Sequence, residues 1–293
     1  SNSALQIYLS CSLKYYFHYI AGIAEKREED LEYSALNVGR VLHKAMEEIY
    51  KGFENKEVIP GDIDGLYDKI DSTISEALQH EMKVEERHTT SGQIFLIRQY
   101  VHQKVKQILK YDQRIAPFLM IEHEYKLKNV NAFVEVDGEK LKINGSIDRI
   151  DEIDGVVRLS DYKTGNEGYS NNGAAKLDNW ARVFGEENRD NRHKLGLQLA
   201  FYALALKSLE DFKDREVQIA HYALRELSDP KAFDHRFTLG KSTLNTLSDE
   251  DYEQIEHQFS EIIRELKDPD VAFVQTENEK ICSYCPYRQI CKR

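Results

Sequence analysis

No apolar run in this sequence approaches the ~18–20 residues that a bilayer-spanning helix needs, and no charged segment followed by an apolar stretch opens it. Neither a membrane span nor a secretory leader is expected, and the chain is expected in the cytoplasm. Basic charge is also short. Forty Lys and Arg stand against 51 Asp and Glu, a net −11, whereas a free-standing nucleic-acid binder usually carries a basic surplus. That weighs against nucleic-acid binding over the whole surface. A groove can still be locally basic, and a fragment can borrow its grip from parts it lacks. There is no internal repeat and no low-complexity tract, and cysteine occurs four times in 293 residues. The chain starts Ser1-Asn2 without a methionine, and its last cysteine lies two residues from the C-terminus. A fragment of a longer polypeptide is therefore expected.

What is present is an ordinary globular composition, 41% hydrophobic and 31% charged, long enough for one large domain. Residues 4–20 are aromatic-rich and helical in pattern, and 25–32 form a mixed charge run. After Asn37, Val38, Val41, Leu42, Ala45, Met46 and Ile49 recur at helical spacing up to Gly52. Residues 62–83 and 91–115 predict two more helices. The period then switches to two, with strands expected over 119–128, 132–137, 140–151 and 156–163, and hairpin turns at Asp137-Gly138 and Asp154-Gly155. A loop over 165–192, a helix over 193–208, a strand over 216–226, a helix over 248–267 and a cysteine-bearing tail complete the pass. The expectation is a single α/β unit, 1–293. Residues 1–115 are mainly helical, 116–226 hold an antiparallel β-meander and the core, and 227–293 form a C-terminal helix and tail.

The chemistry concentrates in one hairpin. If Asp154-Gly155 is a two-residue turn, Ile153 faces Val156, and counting back puts Asp151 opposite Arg158, Ile150 opposite Leu159 and Asp148 opposite Asp161. Cβ atoms so paired lie ~4.5–5.5 Å apart, and like charges there destabilise a sheet unless they are compensated. A divalent cation bridging both carboxylates would compensate them, and hard oxygen ligands suit Mg²⁺ or Mn²⁺. Lys163, two residues past Asp161, projects from the same face. Two acids and one ammonium group at one point can activate water and stabilise charge on a phosphodiester. The same pattern also fits an ordinary hairpin whose aspartates pair with Lys163 or Arg149, and a longer turn would slip the register.

Gly145-Ser146-Ile147-Asp148-Arg149-Ile150-Asp151 followed by Asp161-Tyr162-Lys163-Thr164-Gly165 resembles the core of the PD-(D/E)XK nuclease superfamily, above all its RecB and AddB branch. Gly39-Arg40-Val41-Leu42-His43 is similar to that branch's early GxxxH helix, and Gln198-Leu199-Ala200-Phe201-Tyr202 to its QxxxY motif. Taken without the resemblance, His43 is a lone helical histidine, and Tyr202 belongs on the buried side of an amphipathic helix. The resemblance implies a restriction-endonuclease-like core, a central mixed β-sheet flanked by helices, with a large N-terminal helical part. It implies a metal-dependent DNA nuclease in which His43, Asp148, Asp161 and the Tyr162 carbonyl bind Mg²⁺ or Mn²⁺ and Lys163 assists the nucleophile. Gln198 and Tyr202 would position substrate. A glutamate of the preceding strand joins such sites. Glu122 and Glu124 are two apart, so spacing does not choose between them, and Glu124 better resembles the family pattern.

Cys11 stands 271 positions before Cys282, which opens the C-x2-C-x5-C run Cys282, Cys285, Cys291. In a cytosolic chain this spacing favours metal over a disulfide, and four thiolates suit zinc or an iron–sulfur cluster. The resemblance implies a [4Fe–4S] cluster that staples the two ends of the chain together. Arg98, His102, Lys106, Lys110 and Arg114 recur every four residues along one helix, forming a stripe able to follow DNA phosphates or serve merely as a solvated face. The implied whole is the exonuclease domain of an AddB/RecB-like helicase–nuclease acting on single-stranded DNA ends beside a helicase. The alternatives are a stand-alone CRISPR-associated exonuclease, usually a shorter chain, and a catalytically silent DNA-binding scaffold.

Overall fold

The structure is a computed structural model that describes residues 1–23, 35–83, 92–164, 175–185, 194–224, 227 and 233–292. The charge run at 25–32, Gly165 and most of the loop expected over 165–192 lie outside these residues. Among the described residues no helix is long and apolar enough to cross a membrane.

The N-terminal part is helical, as its periodicity predicts, but it is divided. Residues 4–20 are not one helix: α1 (Asn2–Ser10) stops at Cys11, whose backbone is extended, and α2 (Ser12–Tyr15) restarts with the Cys11 sulfur accepting from the Lys14 amide at 3.4 Å. In α3 (Ala35–Ile49), Val41, Leu42, Ala45, Met46 and Ile49 are all buried. A short strand β1 (Lys56–Val58) follows. The helix expected over 62–83 is α4 (Pro60–Leu66), a single 3-10 turn and α5 (Ile70–Met82), while α6 (Gly92–Ile115) runs unbroken.

The strands do not form one meander. β2 (Phe118–Lys126) is followed by β3 (Phe133–Val136) and β4 (Glu139–Lys142), which among the described residues pair only with each other. The strand expected over 140–151 therefore splits, and β5 (Ser146–Ile153) pairs directly with β2. β6 (Val156–Lys163) completes the predicted hairpin. Both Asp-Gly turns have left-handed backbone at Asp137, Gly138, Asp154 and Gly155, the conformation a two-residue I′ turn requires. Beyond β6 come β7 (Ala175–Leu177), α7 (Trp180–Phe184), α8 (Lys194–Leu206) and β8 (Val217–Ala223). Then follow β9 (Phe237–Leu239), β10 (Ser242–Leu244), α9 (Asp249–Lys267) and α10 (Glu279–Ser283).

The central sheet has the order β1-β2-β5-β6-β8, antiparallel except for the parallel β6–β8 pair. One face packs Phe118, Met120, Tyr162 and Tyr222 against α3, α5 and α6. The other packs Ile150, Val157, Leu159 and Ile219 against α7, α8 and α9. Each fully buried aliphatic chain contributes roughly 1.5–3 kcal/mol. This is the mixed, helix-flanked sheet of a restriction-endonuclease-like core. The two ends of the chain meet: Leu13 donates its amide to the Val274 carbonyl at 3.0 Å, and the Tyr287 hydroxyl donates to the Ile23 carbonyl at 2.9 Å.

Candidate active site

The β5–β6 register runs as the turn dictates, from Ile153 opposite Val156 to Arg149 opposite Ser160. One step further along the same register stand Asp148 and Asp161. Backbone pairing ends there, and the Asp148 side chain takes over by accepting from the Tyr162 amide at 2.9 Å. On the other flank, His123 pairs with Arg149 and Tyr125 with Ile147, so Glu124 sits across from Asp148. Glu124, Asp148 and Asp161 thus form one row over three strands.

The pleat is disturbed at this row. Arg149 and Ile147 are two apart yet lie on opposite sides of the sheet, as do His123 and Tyr125. Glu124 itself has left-handed backbone, φ 52°, a conformation that costs a non-glycine residue energy and concentrates at functional sites. A bulge at Ile121 shifts β2 earlier. These two irregularities separate the candidate glutamates. Glu124 turns to the site, while Glu122 lies beside Glu47, Glu48 and Glu54. Alternation alone would have kept them on one face.

His43 of α3 reaches the row from the α6 side. Its Nδ1 is 3.4 Å from Asp148 Oδ1 and 3.5 Å from Glu124 Oε1, and its Nε2 is 3.1 Å from the Tyr162 carbonyl. Lys163 Nζ lies 2.8 Å from Asp161 Oδ2, and Gln198 of α8 donates from Nε2 to Asp161 Oδ1 at 3.0 Å. Burial alone would lower the His43 imidazole, but Asp148 and Glu124 outweigh it and hold it well above its usual value. Burial would raise Asp148, and His43 reverses this to a net lowering. Asp161 is pushed up to about 6 by burial and by Asp148, against the pull of Lys163. Two carboxylates facing each other with too little positive charge between them are what a cation relieves.

Among the described residues, His43, Glu124 and Asp148 form the cluster whose donor atoms all lie within 4.8 Å of one another. One imidazole, several carboxylate oxygens and a carbonyl suit Mn²⁺ or Mg²⁺, so the residues fit the ion that the sequence implies. Asp161 stands beside this cluster, turned to Lys163 and Gln198.

Two further features explain letters of the motif. A Cβ at Gly145 would lie 2.7 Å from the Tyr202 ring, so the glycine lets Tyr202 close over the start of β5. Burial, then Asp161, pushes the Tyr202 hydroxyl up to about 12. Arg149 and Asp151 point to the opposite face. Arg149 donates to Asp112 of α6 at 2.7 Å and also to Asp151, which Arg158 grips through two bonds. Asp112 also accepts from the Tyr50 and Tyr222 hydroxyls at 2.6 and 2.7 Å. Two cations and two anions, all buried, lock β5 and β6 to α6. The sequence marked Arg149 and Asp151 as motif letters without this task, because Asp112, the α6 partner of Arg149, is distant in the chain.

All four cysteines carry thiols and line one small cavity. Among the described residues no three of them bring their sulfurs within 4.8 Å of one another. Of the basic stripe on α6, Arg98 is committed to α5, donating to Asp71 at 3.1 Å and Ser75 at 3.2 Å. Lys106, Lys110 and Arg114 are exposed, and His102 is half-buried.

The fold and this row of acids define a class. The chain belongs to the PD-(D/E)XK nuclease superfamily, whose pattern it matches over residues 1–292. Its relatives include an ATP-dependent helicase/deoxyribonuclease subunit of Caldanaerobacter subterraneus subsp. tengcongensis, 22% identical over 350 aligned positions, covering 100% of this chain and 29% of that protein. The same subunit from Carboxydothermus hydrogenoformans is 30% identical over 177 positions, covering 56% and 16%. That of Clostridium novyi is 26% identical over 234, covering 73% and 18%. The chain thus spans less than a third of the length of these relatives.

Proposed function

We propose that the chain is a divalent-cation-dependent deoxyribonuclease, the nuclease domain of a helicase–nuclease subunit that processes DNA ends in the cytoplasm beside a helicase. The observation that carries this reading is the convergence of His43, Glu124 and Asp148 next to the Asp161–Lys163 pair. His43 and Asp148, with the Tyr162 carbonyl and the neighbouring Asp161, would hold Mg²⁺ or Mn²⁺, and Glu124, within the same donor cluster, would support the site. When bound, such an ion lowers the pKa of a water and neutralises charge on the phosphate. Lys163, held by Asp161, orients the attacking water and stabilises developing negative charge. Gln198 holds the second Asp161 oxygen, which aims the carboxylate, and Tyr202 borders the space where a phosphate docks.

The same reading gives the four cysteines a [4Fe–4S] cluster. What supports it is that all four line one cavity where the ends of the chain meet. Its role is to brace the joined ends of the chain.

The test is cleavage of end-labelled DNA with Mg²⁺ or Mn²⁺ against chelator, for the wild type and Lys163→Ala. Chelation abolishes cleavage, and Lys163→Ala lowers it by at least two orders of magnitude, as loss of one charge-stabilising donor does. Undiminished cleavage in chelator or by the variant defeats the reading.

A further inference from the structure

We propose that a groove between the two joined ends of the chain binds single-stranded DNA and leads it to the active site. The destination of the strand rests on the nuclease reading; the binding itself does not.

The groove is lined by α1 and α2, by α10 with Asn278 and Tyr284 at its two ends, and by Lys194 at the start of α8. Among the described residues three lysines line it, Lys14, Lys194 and Lys280, and no carboxylate does. In a chain of net charge −11 that is a local reversal of sign. Among the described residues no carboxylate pairs with these three ammonium groups. Ammonium groups gathered without paired carboxylates in an acidic protein suit a polyanion.

The rim adds an aromatic. Tyr284 is 93% exposed, the most exposed large hydrophobic side chain among the described residues, and Ile7 and Ile281 line the groove with it. A ring presented to solvent next to lysines is the pairing by which proteins hold unpaired strands: phosphates follow the charge and bases stack on the ring. A duplex keeps its base faces covered, so the ring selects for single strands.

The groove connects to the chemistry through α8. Lys194 and Gln198 are one helical turn apart on one face, about 6 Å along the axis, and Gln198 touches Asp161 at 3.0 Å. A backbone phosphate held by Lys194 therefore has its neighbours within reach of the carboxylate row. Lys14 and Ile281 line both this groove and the cysteine cavity. The groove and the cysteine cavity therefore adjoin.

The test is anisotropy of a labelled oligothymidylate of about 20 nucleotides, a length that spans the groove and the site, in chelator so that nothing is cleaved. The triple variant Lys14→Gln, Lys194→Gln, Lys280→Gln should bind at least ten-fold more weakly at low salt. The slope of log affinity on log salt should fall by about 2, for three phosphate contacts at about 0.7 each. Tyr284→Ala should weaken the single strand about ten-fold and a blunt duplex far less. Hydrolysis of the small diester bis(p-nitrophenyl) phosphate, which needs no groove, should stay at the wild-type rate in both variants. Should the triple variant fold poorly, Tyr284→Ala, a change at the surface, carries the test alone. Single-strand affinity within two-fold of wild type overturns the proposal, as does displacement of the oligonucleotide by polyglutamate at equal charge, which would mark an acidic-protein site. A wild type that binds through the groove but hydrolyses neither substrate leaves this inference standing and defeats the nuclease reading instead.

Discussion

At the residue scale the site depends on close approaches that leave no room for one more methyl group. Gly145 is the clearest example, since a methyl group there meets the Tyr202 ring at 2.7 Å. Gly145→Ala should push Tyr202 away from the start of β5, lowering DNA cleavage about ten-fold while Mn²⁺ affinity changes little; such losses are typical of small misplacements near the reacting centre. Steady-state cleavage beside calorimetric Mn²⁺ titration checks this, and an unaltered rate would mean that the Tyr202 ring is not needed where it stands. Asp148, Asp161 and Lys163 were legible in the sequence because an Asp-Gly turn sets a register that can be counted. Glu124 was chosen over Glu122 by resemblance alone. Its left-handed backbone and the bulge at Ile121 leave no mark in a pattern of apolar and polar letters, so periodicity had no means of separating the two.

At the scale of elements, the hairpin β5–β6 is anchored by charge on one face and by hydrocarbon on the other. Arg149 is fully buried between Asp112 and Asp151. Removing one member of such a set strands the others without water or counter-charge. Arg149→Met should therefore lower unfolding free energy by about 3–5 kcal/mol, read from denaturant midpoints. A loss under about 1 kcal/mol would show the network to be dispensable. The helices α3, α6 and α9 were legible from their periodicity, and the two hairpin turns from Asp-Gly. The departure of β3–β4 from the central sheet was not. Both arrangements bury the same alternating residues, and the choice between them lies in tertiary packing. The break at Cys11 was hidden for the opposite reason: helical pattern continues across it while the backbone does not.

At the scale of the whole molecule, the sequence showed an acidic chain with one basic stripe, and the stripe is partly spent on packing, through Arg98 and Asp71. The basic groove was invisible because its lysines are contributed by positions 14, 194 and 280. The fold also predicts acid sensitivity. Burial, with Arg158 nearby, lowers His235 to about 3, against an ordinary value of about 6.5. Between those values the unfolded chain binds a proton that the native one refuses, so stability falls as pH falls through that window. His235→Gln removes this titration. Its stability should fall less steeply between pH 6 and 4, by about 1.4 kcal/mol per pH unit, in denaturant titrations at each pH. Parallel slopes for the two proteins would contradict the assignment.

The most direct test of the account as a whole is Mn²⁺ binding measured beside DNA cleavage in Asp148→Asn and Lys163→Ala. If the carboxylate row holds the ion and the lysine acts on the water, Asp148→Asn loses both binding and cleavage, whereas Lys163→Ala loses cleavage and keeps the ion. Asp148→Asn protein that still cleaves DNA, or binds Mn²⁺ as tightly as the wild type, would contradict it.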